Sequence, residues 1–213
     1  MTNRNLEFDG GKSSLKNTAD FYNATALDWA KSGYSDKAEI PALLDFAKQY
    51  LSGSRFLDLC CGCGYHAARI HTLGYEVVGI DFSEESLKIA KERNPDILFY
   101  SDNLLNDYSY IGKVDAIFVI AGLVHIETDQ LRQAFSRMHD VVKENGGLFI
   151  TIREGKGKLL DRSLTIINGE EYDRNFIAHT LDELVDAAAG LFNFLQEVGH
   201  DGTVWHNYIF QRA

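Results

Sequence analysis

The stretch Phe56-Leu57-Asp58-Leu59-Cys60-Cys61-Gly62-Cys63-Gly64-Tyr65-His66-Ala67 decides the fold of this chain. We predict a short strand from Arg55 to Cys60 and a helix from about Tyr65 to Leu73. The glycines between them allow a sharp bend and let a ligand approach the backbone without a Cβ in the way. A glycine-rich turn from a first strand into a helix is the usual ligand crevice of a doubly wound sheet.

Strand and helix patterns alternate on the carboxyl side of this turn. Further strands are predicted at 75–81, 96–100, 114–121, 148–153, 192–198 and 204–210. This alternation predicts an α/β fold, with a single doubly wound, mostly parallel seven-stranded sheet and helices on both faces. Only Gly199 to Thr203 separate the last two strands. Because five residues cannot form a crossover connection, we expect the final pair to be antiparallel.

Length, charge and cysteine usage limit the class of protein. The chain has 213 residues and a net charge of -10, from 21 Lys+Arg against 31 Asp+Glu. One domain fits this length, and we expect a flexible tail at 1–19 followed by one domain at 20–213. The acidic charge argues against nucleic-acid and anionic-membrane partners. The three cysteines cluster at 60–63 and no signal peptide is evident, so we expect a reducing, cytoplasmic location.

The glycine turn alone is compatible with two kinds of ligand. Gly62-x-Gly64-x-x-Ala67 matches the loose dinucleotide pattern, and Asp81 follows at the distance that suits a ribose. Asp58, however, comes four residues before Gly62. A carboxylate so close to two anionic phosphates would be unfavourable, whereas it suits the cationic end of a ligand. An NAD-dependent oxidoreductase therefore remains the alternative.

Five motifs in order carry a resemblance to a known family. Residues 56–64 resemble motif I of the class I S-adenosylmethionine-dependent methyltransferases, and 77–83 resemble the second motif. Ser101-Asp102-Asn103 resembles the third, 121–125 resembles the segment after the fourth strand, and 143–148 resembles the turn before the fifth. The resemblance implies a Rossmann-like methyltransferase fold of the small-molecule type. Residues 20–53 would form a helical cap over the site.

The resemblance also implies a cofactor, S-adenosyl-L-methionine, with S-adenosyl-L-homocysteine as the product. Asp81 would accept hydrogen bonds from the ribose hydroxyls, Phe82 would lie against the adenine, and Asp102 would accept from the adenine amino group. Cys60 replaces the usual glycine and Cys63 the usual threonine or serine, and we expect the loop to survive both changes. The cofactor-binding residues implied in this way are Asp58, Cys60, Gly62, Cys63, Gly64, Asp81, Phe82, Asp102, Asn103, Ala121 and Trp29.

The predicted reaction is direct transfer of a methyl group to a small-molecule acceptor, mainly through positioning. His125 and Tyr22 are the candidates for a base or an acceptor-orienting group. Lys156, Lys158, Arg162 and Arg174 would either meet an anionic group of the acceptor or belong to a solvated loop. A protein that binds the cofactor without turnover is a further alternative. We expect a monomer or homodimer, and no metal, because Cys60-x-x-Cys63 has no second cysteine pair.

Overall fold

The computed structural model describes residues 15–35, 40–51, 53–199 and 202–213. Seven strands form the main sheet: β1 Arg55–Leu59, β2 Glu76–Asp81, β3 Leu98–Ser101, β4 Val114–Ile120, β5 Val142–Arg153, β10 Phe192–Val198 and β11 Trp205–Arg212. The helices are α1 Leu15–Gly33, α2 Pro41–Ala47, α3 Tyr65–Thr72, α4 Glu84–Arg93, α5 Leu131–Val141, α6 Leu160–Ser163 and α7 Leu181–Ala188. Four short strands complete the described elements: β6 Gly157–Lys158, β7 Leu164–Ile167, β8 Glu170–Asp173 and β9 Ile177–Ala178.

The main sheet confirms the predicted doubly wound topology. Its strand order is β10-β11-β5-β4-β1-β2-β3, and β1 pairs in parallel with both β2 and β4. The strand order therefore reverses at β1, and this reversal opens a crevice at the carboxyl ends of β1 and β4. Strand β11 runs antiparallel to both β5 and β10, as the short connection between the last two strands requires.

Apolar side chains of the strands are buried on both faces of the sheet, as expected where helices cover both sides. On one face Leu57 packs in a buried cluster with α5 and α7, where Phe135 and Leu184 are fully buried. On the other face Phe56 lies in a second cluster with α2, α3 and α4. The alternation of neighbouring strand residues between two clusters follows from the two-residue repeat of a strand. The result is a rigid sheet whose carboxyl edge holds the site.

The predicted flexible tail is too long, because α1 includes its last five residues, 15–19. The tail was expected to extend to residue 19, but α1 begins at Leu15 and Thr18 is fully buried. The rest of that expected tail, residues 1–14, lies outside the described residues. The backbone N–H of Asn175 donates a hydrogen bond to Thr18 Oγ1 at 3.0 Å. This bond attaches the first turn of α1 to a distant segment, so residues 15–19 belong to the helix.

The segment between β5 and α7 holds two pairs of short strands that the sequence did not predict. Strand β6 pairs with β9, and β7 pairs with β8, both antiparallel. Strand β5 also begins at Val142 rather than at 148, and a short 3-10 turn at Thr128–Gln130 precedes α5. The short strands lack a long apolar alternation, so their pairing depends on the neighbouring chain rather than on local pattern.

Helix α1 lies along the carboxyl edge of the sheet and is attached to it at two further points. Asn23 Oδ1 accepts hydrogen bonds from Ser83 Oγ at 2.9 Å and from the Glu85 amide at 3.2 Å, at the amino end of α4. The Tyr34 hydroxyl, just after α1, donates to the Cys63 carbonyl at 2.9 Å. These bonds hold α1 across the glycine turn. None of the described helices is both long and apolar enough to span a bilayer.

Candidate functional site

One cavity opens at the carboxyl ends of β1, β2 and β4, beneath helix α1. It is lined by most of the predicted site residues together with several from the segment after β5. The lining residues are Tyr22, Trp29, Asp58, Cys60, Cys61, Gly62, Cys63, Tyr65, His66, Asp81, Phe82, Ser86, Ile120, Ala121, Gly122, Val124, His125, Arg162, Arg174, Phe176 and Trp205. The cavity thus lies at the strand-order reversal, where open α/β sheets bind ligands.

The glycine turn gives this cavity a floor of bare backbone. Gly62 and Gly64 have φ values of 51° and 77°, in the left-handed region that favours glycine. A Cβ on Gly64 would lie 2.8 Å from Phe99 Cζ, so close packing also requires glycine there. A Cβ on Gly62 would have no described atom within 4 Å. The backbone at Gly62 is therefore open to a ligand.

Cys60 and Ala121 adopt left-handed backbone conformations at the ends of β1 and β4. Their φ values are 65° and 54°. Such conformations are unfavourable for residues with a Cβ and often occur at functional sites. At Cys60 the family's usual residue is glycine, which adopts this conformation without strain. Cys60 thus adopts a backbone conformation that favours glycine, although it has a Cβ.

Asp58 is buried near the carboxyl end of β1, with 1% of its surface exposed. Its Oδ2 accepts a hydrogen bond from the Ala67 amide at 3.0 Å, at the start of α3. Within the described residues its Oδ1 has no partner. Burial raises the pKa of this carboxyl well above its usual range, and the bond from Ala67 opposes that rise. A cationic group bound beside Oδ1 would stabilise the ionised form.

Asp81, at the end of β2, accepts two backbone hydrogen bonds. Its Oδ2 accepts from the Gly62 amide and its Oδ1 from the Ser83 amide, both at 2.8 Å. Burial raises the pKa of this carboxyl, and the backbone bonds oppose the rise. Because each carboxylate oxygen has two lone pairs, both oxygens retain capacity to accept from a diol. Asp81 also joins the glycine turn to the start of α4.

Aromatic rings form one wall of the cavity. The Tyr22 ring lies 6.3 Å from the Phe82 ring, 6.0 Å from the Trp29 ring and 5.2 Å from the His125 ring, between centroids. Tyr22 and Trp29 come from α1, so this helix borders the cavity, and a cap formed by residues 20–53 stays a prediction. A planar, apolar group of a ligand fits against such a wall.

Tyr22, His125 and Asn175 form a chain of hydrogen bonds in the cavity. His125 Nδ1 lies 2.7 Å from the Asn175 carbonyl oxygen, which can only accept, so Nδ1 carries the proton. The Tyr22 hydroxyl then donates to Nε2 across 2.8 Å. Burial lowers the pKa of His125 to about 4, and burial raises the pKa of Tyr22 to about 12. Both side chains are therefore neutral at neutral pH.

Asp102 and Asn103 do not line this cavity. Asp102 Oδ1 accepts hydrogen bonds from the Asn103 amide and from Asn106 Nδ2, both at 2.7 Å. Its Oδ2 accepts from the Tyr110 hydroxyl at 2.9 Å. Asp102 is thus bonded within its own turn after β3, and the adenine contact assigned to it stays a prediction.

Several lining residues were not among the predicted site residues. His66 is 7% exposed, and its Nδ1 is buried without a hydrogen-bond partner among the described residues. Burial lowers the pKa of His66 to about 3. Phe176 directly precedes β9, and Trp205 is the first residue of β11. Both follow the end of β4 by more than fifty residues. Only their place in the folded chain brings them to the site.

The three cysteines of the glycine turn are free thiols. Burial raises the pKa of Cys60 and Cys61 well above the usual value, with Asp58 and Asp81 adding to the rise. Within the described ranges no cluster of three or more His, Cys, Asp or Glu side chains has the arrangement of a metal site. These thiols are thus poor nucleophiles and serve to pack the turn.

The comparisons with known proteins agree with this geometry. Residues 56–146 match the family of methyltransferase domains. The matched residues run from β1 into β5 and include the glycine turn and Asp81. A Geobacillus protein named as a methyltransferase is 30% identical over 113 residues, covering 49% of this chain and 45% of that protein. A demethylmenaquinone methyltransferase of Renibacterium salmoninarum is 31% identical over 98 residues, covering 46% of this chain and 40% of that enzyme. The alignments thus span less than half of these relatives.

Solved structures confirm the fold of the methyltransferase domain. The complex of DhpI with S-adenosylhomocysteine has a TM-score of 0.74 at 19% identity, covering 92% of this chain and 95% of that one. Magnesium protoporphyrin IX methyltransferase from Synechocystis, with bound S-adenosylhomocysteine, has a TM-score of 0.68 at 16% identity, covering 92% and 98%. The family resemblance and fold predicted from the motifs are both confirmed.

Proposed function

We propose that this chain is an S-adenosylmethionine-dependent methyltransferase that acts on a small-molecule acceptor. The observation that carries the proposal is the pair of buried carboxylates, Asp58 and Asp81, on either side of a bare glycine turn. One is placed to meet a cationic group and the other retains lone pairs for a diol. A sulfonium nucleoside with an amino-acid tail carries both kinds of group.

The residues present fit this cofactor. Gly62 leaves an open backbone surface, Asp58 Oδ1 lacks a partner among the described residues, and Phe82 offers a ring face beside Asp81. His66, whose Nδ1 is buried without a partner among the described residues, also lines the cavity. Residues Asp58, Cys60, Gly62, Cys63, Gly64, Asp81, Phe82, Ala121 and Trp29 would hold the cofactor, and Asp102 with Asn103 remain proposed contacts to the adenine.

S-adenosylmethionine supplies, when bound, a methyl group on a positively charged sulfur. The chain then has to align an acceptor and exclude water, and such positioning contributes roughly 7–11 kcal/mol. Helix α1 covers the cavity, and Tyr22 and His125 contact each other inside it. If the acceptor loses a proton, His125 Nε2 can take it once the Tyr22 hydroxyl no longer donates its hydrogen bond to Nε2. Tyr22 would orient the acceptor and His125 would take the proton.

A binding experiment separates this function from its two alternatives. Calorimetry with S-adenosylhomocysteine and with NAD, on the same protein, should give binding of the first only. Binding of NAD alone would support the oxidoreductase instead. A screen of small-molecule acceptors with methyl-labelled S-adenosylmethionine then tests turnover, and tight binding of S-adenosylhomocysteine without transfer to any acceptor would support a binding protein.

A further inference from the structure

Two arginines bring positive charge to the cavity beside the Tyr22–His125 pair. Arg162 is in α6 and Arg174 directly follows β8, and both line the cavity. The two lysines of the same segment do not: Lys158 pairs with Asp173 at 3.2 Å, and Lys156 is exposed. Of the four basic residues in this segment, only the two arginines line the cavity.

Arg174 is held in a defined position. Its Cζ lies 4.4 Å from the centroid of the Phe21 ring and 4.9 Å from that of Phe176. Its Nε donates a hydrogen bond to the Arg162 carbonyl oxygen at 3.0 Å. Two aromatic contacts and one backbone bond fix the plane of the guanidinium. The half-buried group is thus preorganised.

The charge of Arg174 acts at the proposed point of methyl transfer. It lowers the pKa of His125, adding to the effect of burial, and it opposes the burial that raises the pKa of Tyr22. Among the described residues no carboxylate lies within 4.0 Å of Arg174. The acids of the cavity, Asp58 in β1 and Asp81 at the end of β2, instead accept hydrogen bonds from backbone amides at or near the glycine turn.

Arg162 makes only a weak, exposed ion pair, with Asp161. Its Nε lies 3.9 Å from Asp161 Oδ2, and both side chains are more than half exposed. Exposed pairs of this kind contribute little to stability, so an incoming anion can replace Asp161 at little cost. Guanidinium groups bind carboxylates and phosphates through paired N–H donors.

We propose that the methyl acceptor is an anion whose carboxylate or phosphate group is bound by Arg174 with help from Arg162. This inference rests on the proposed methyltransferase function. Phe176 and Trp205 line the same part of the cavity, with Trp205 6.2 Å from Phe176 between centroids, so the body of the acceptor is apolar. In a chain with a net charge of -10, the two arginines select such an anion against neutral analogues.

Calorimetry on the full chain, saturated with S-adenosylhomocysteine, tests the anion site directly. The probes are benzoate and phenyl phosphate, compared with the neutral analogues benzamide and benzyl alcohol. We expect at least one anion to bind at least tenfold more tightly than its neutral analogue, and the stronger of the two identifies the charged group. Equal binding of anions and neutral probes, or no binding of either anion, would overturn the proposal.

Matched variants distinguish binding at the arginines from a general electrostatic attraction between the anion and the protein. R174Q should weaken the binding of the anion at least tenfold, R162Q less, and R174K should give an intermediate loss because lysine keeps the charge without the fork. K156Q removes the same charge from the same segment outside the cavity and should leave anion binding unchanged. A loss in K156Q equal to that in R174Q would refute a specific site.

The affinity for S-adenosylhomocysteine separates this inference from the proposed function. R174Q should bind S-adenosylhomocysteine as tightly as the unsubstituted chain. A tenfold loss there would mean that the arginine holds the carboxylate of the cofactor, and the acceptor assignment would be wrong. If the unsubstituted chain itself fails to bind S-adenosylhomocysteine, the proposed function fails, and that outcome is distinct from a preference for neutral probes.

Discussion

Asp81 connects the cofactor site to the backbone of its own turn. Its two oxygens accept from the amides of Gly62 and Ser83, and the same oxygens would meet the ribose. We expect Asp81→Asn to weaken the binding of S-adenosylhomocysteine more than tenfold, about 1.4 kcal/mol. The reason is that the amide nitrogen would face a backbone donor and the negative charge would be lost. Calorimetry provides the measurement.

Asp96 provides the control for this substitution. It is an exposed carboxylate just before β3, away from the cavity. Asp96→Asn changes the net charge by the same amount and should leave the affinity as it is. An Asp81→Asn protein that folds and binds S-adenosylhomocysteine normally would remove the ribose assignment.

The lowered pKa of His125 predicts how the free energy of unfolding depends on pH. Its folded pKa is about 4 against an ordinary value of 6.5, so between these values the unfolded chain binds more protons. Stability from this group is therefore full above about pH 6.5 and is lost as the pH falls toward 4, by at most about 3 kcal/mol. Urea unfolding across this range should show the loss.

His125→Asn isolates this contribution, because Asn keeps a donor near the Asn175 carbonyl and does not titrate. The variant should be less stable at neutral pH and should show a shallower fall on acidification. His66 and His179 also have lowered pKa values, so part of the fall remains. A variant whose pH dependence equals that of the unsubstituted chain would disprove the role assigned to His125.

At the scale of elements, the ends of β1 and β4 pack directly against each other. A Cβ on Gly122 would lie 2.7 Å from Cys60 Sγ and 2.9 Å from Val119 Cγ1. Gly122→Ala should therefore destabilise the fold by about 1–3 kcal/mol, through overpacking. Cys60→Gly relieves the left-handed backbone but gives up the packing of the thiol, so its own effect should be small.

The two substitutions should be coupled because they share one contact. In the Cys60→Gly background the cost of Gly122→Ala should fall by about 1 kcal/mol, with Val119 responsible for what remains. Urea unfolding of the four proteins in the cycle gives the coupling energy. Strictly additive costs would show that the contact between β1 and β4 is not what excludes a side chain at Gly122.

At the scale of the whole molecule, α1 couples cofactor binding to closure of the cavity. Its contacts with the amino end of α4 run through Asn23, which accepts from Ser83 and Glu85. S-adenosylhomocysteine at 100 times its dissociation constant should stabilise the fold by about 2.7 kcal/mol and slow hydrogen exchange in α1. Asn23→Ala should reduce this protection and speed the release of S-adenosylhomocysteine.

A substitution far from α1 completes this test. Asn193 is exposed in β10, on the opposite edge of the sheet from β3, and Asn193→Ala should leave both exchange in α1 and ligand release unchanged. Equal exchange in α1 with and without S-adenosylhomocysteine would show that α1 is not the cover of the bound cofactor.

The sequence by itself determined the sheet, the order of strands and helices along the chain, and the glycine turn that lies between Asp58 and Asp81. Apolar runs and glycine spacing act through the backbone over a few residues, so they can be interpreted without neighbours. The same local signals missed the two short strand pairs between β5 and α7. Those strands are short, and their pairing is set by the surfaces on which they rest.

Only the tertiary structure decided which side chains share the cavity. Asn175 meets His125 across fifty residues of chain, and Tyr22 meets His125 across 103. Arg174 reaches the same place only because Phe21 and Phe176 hold it there. Contacts between such distant residues depend on how whole elements pack, and no pattern within a short stretch of sequence encodes that packing.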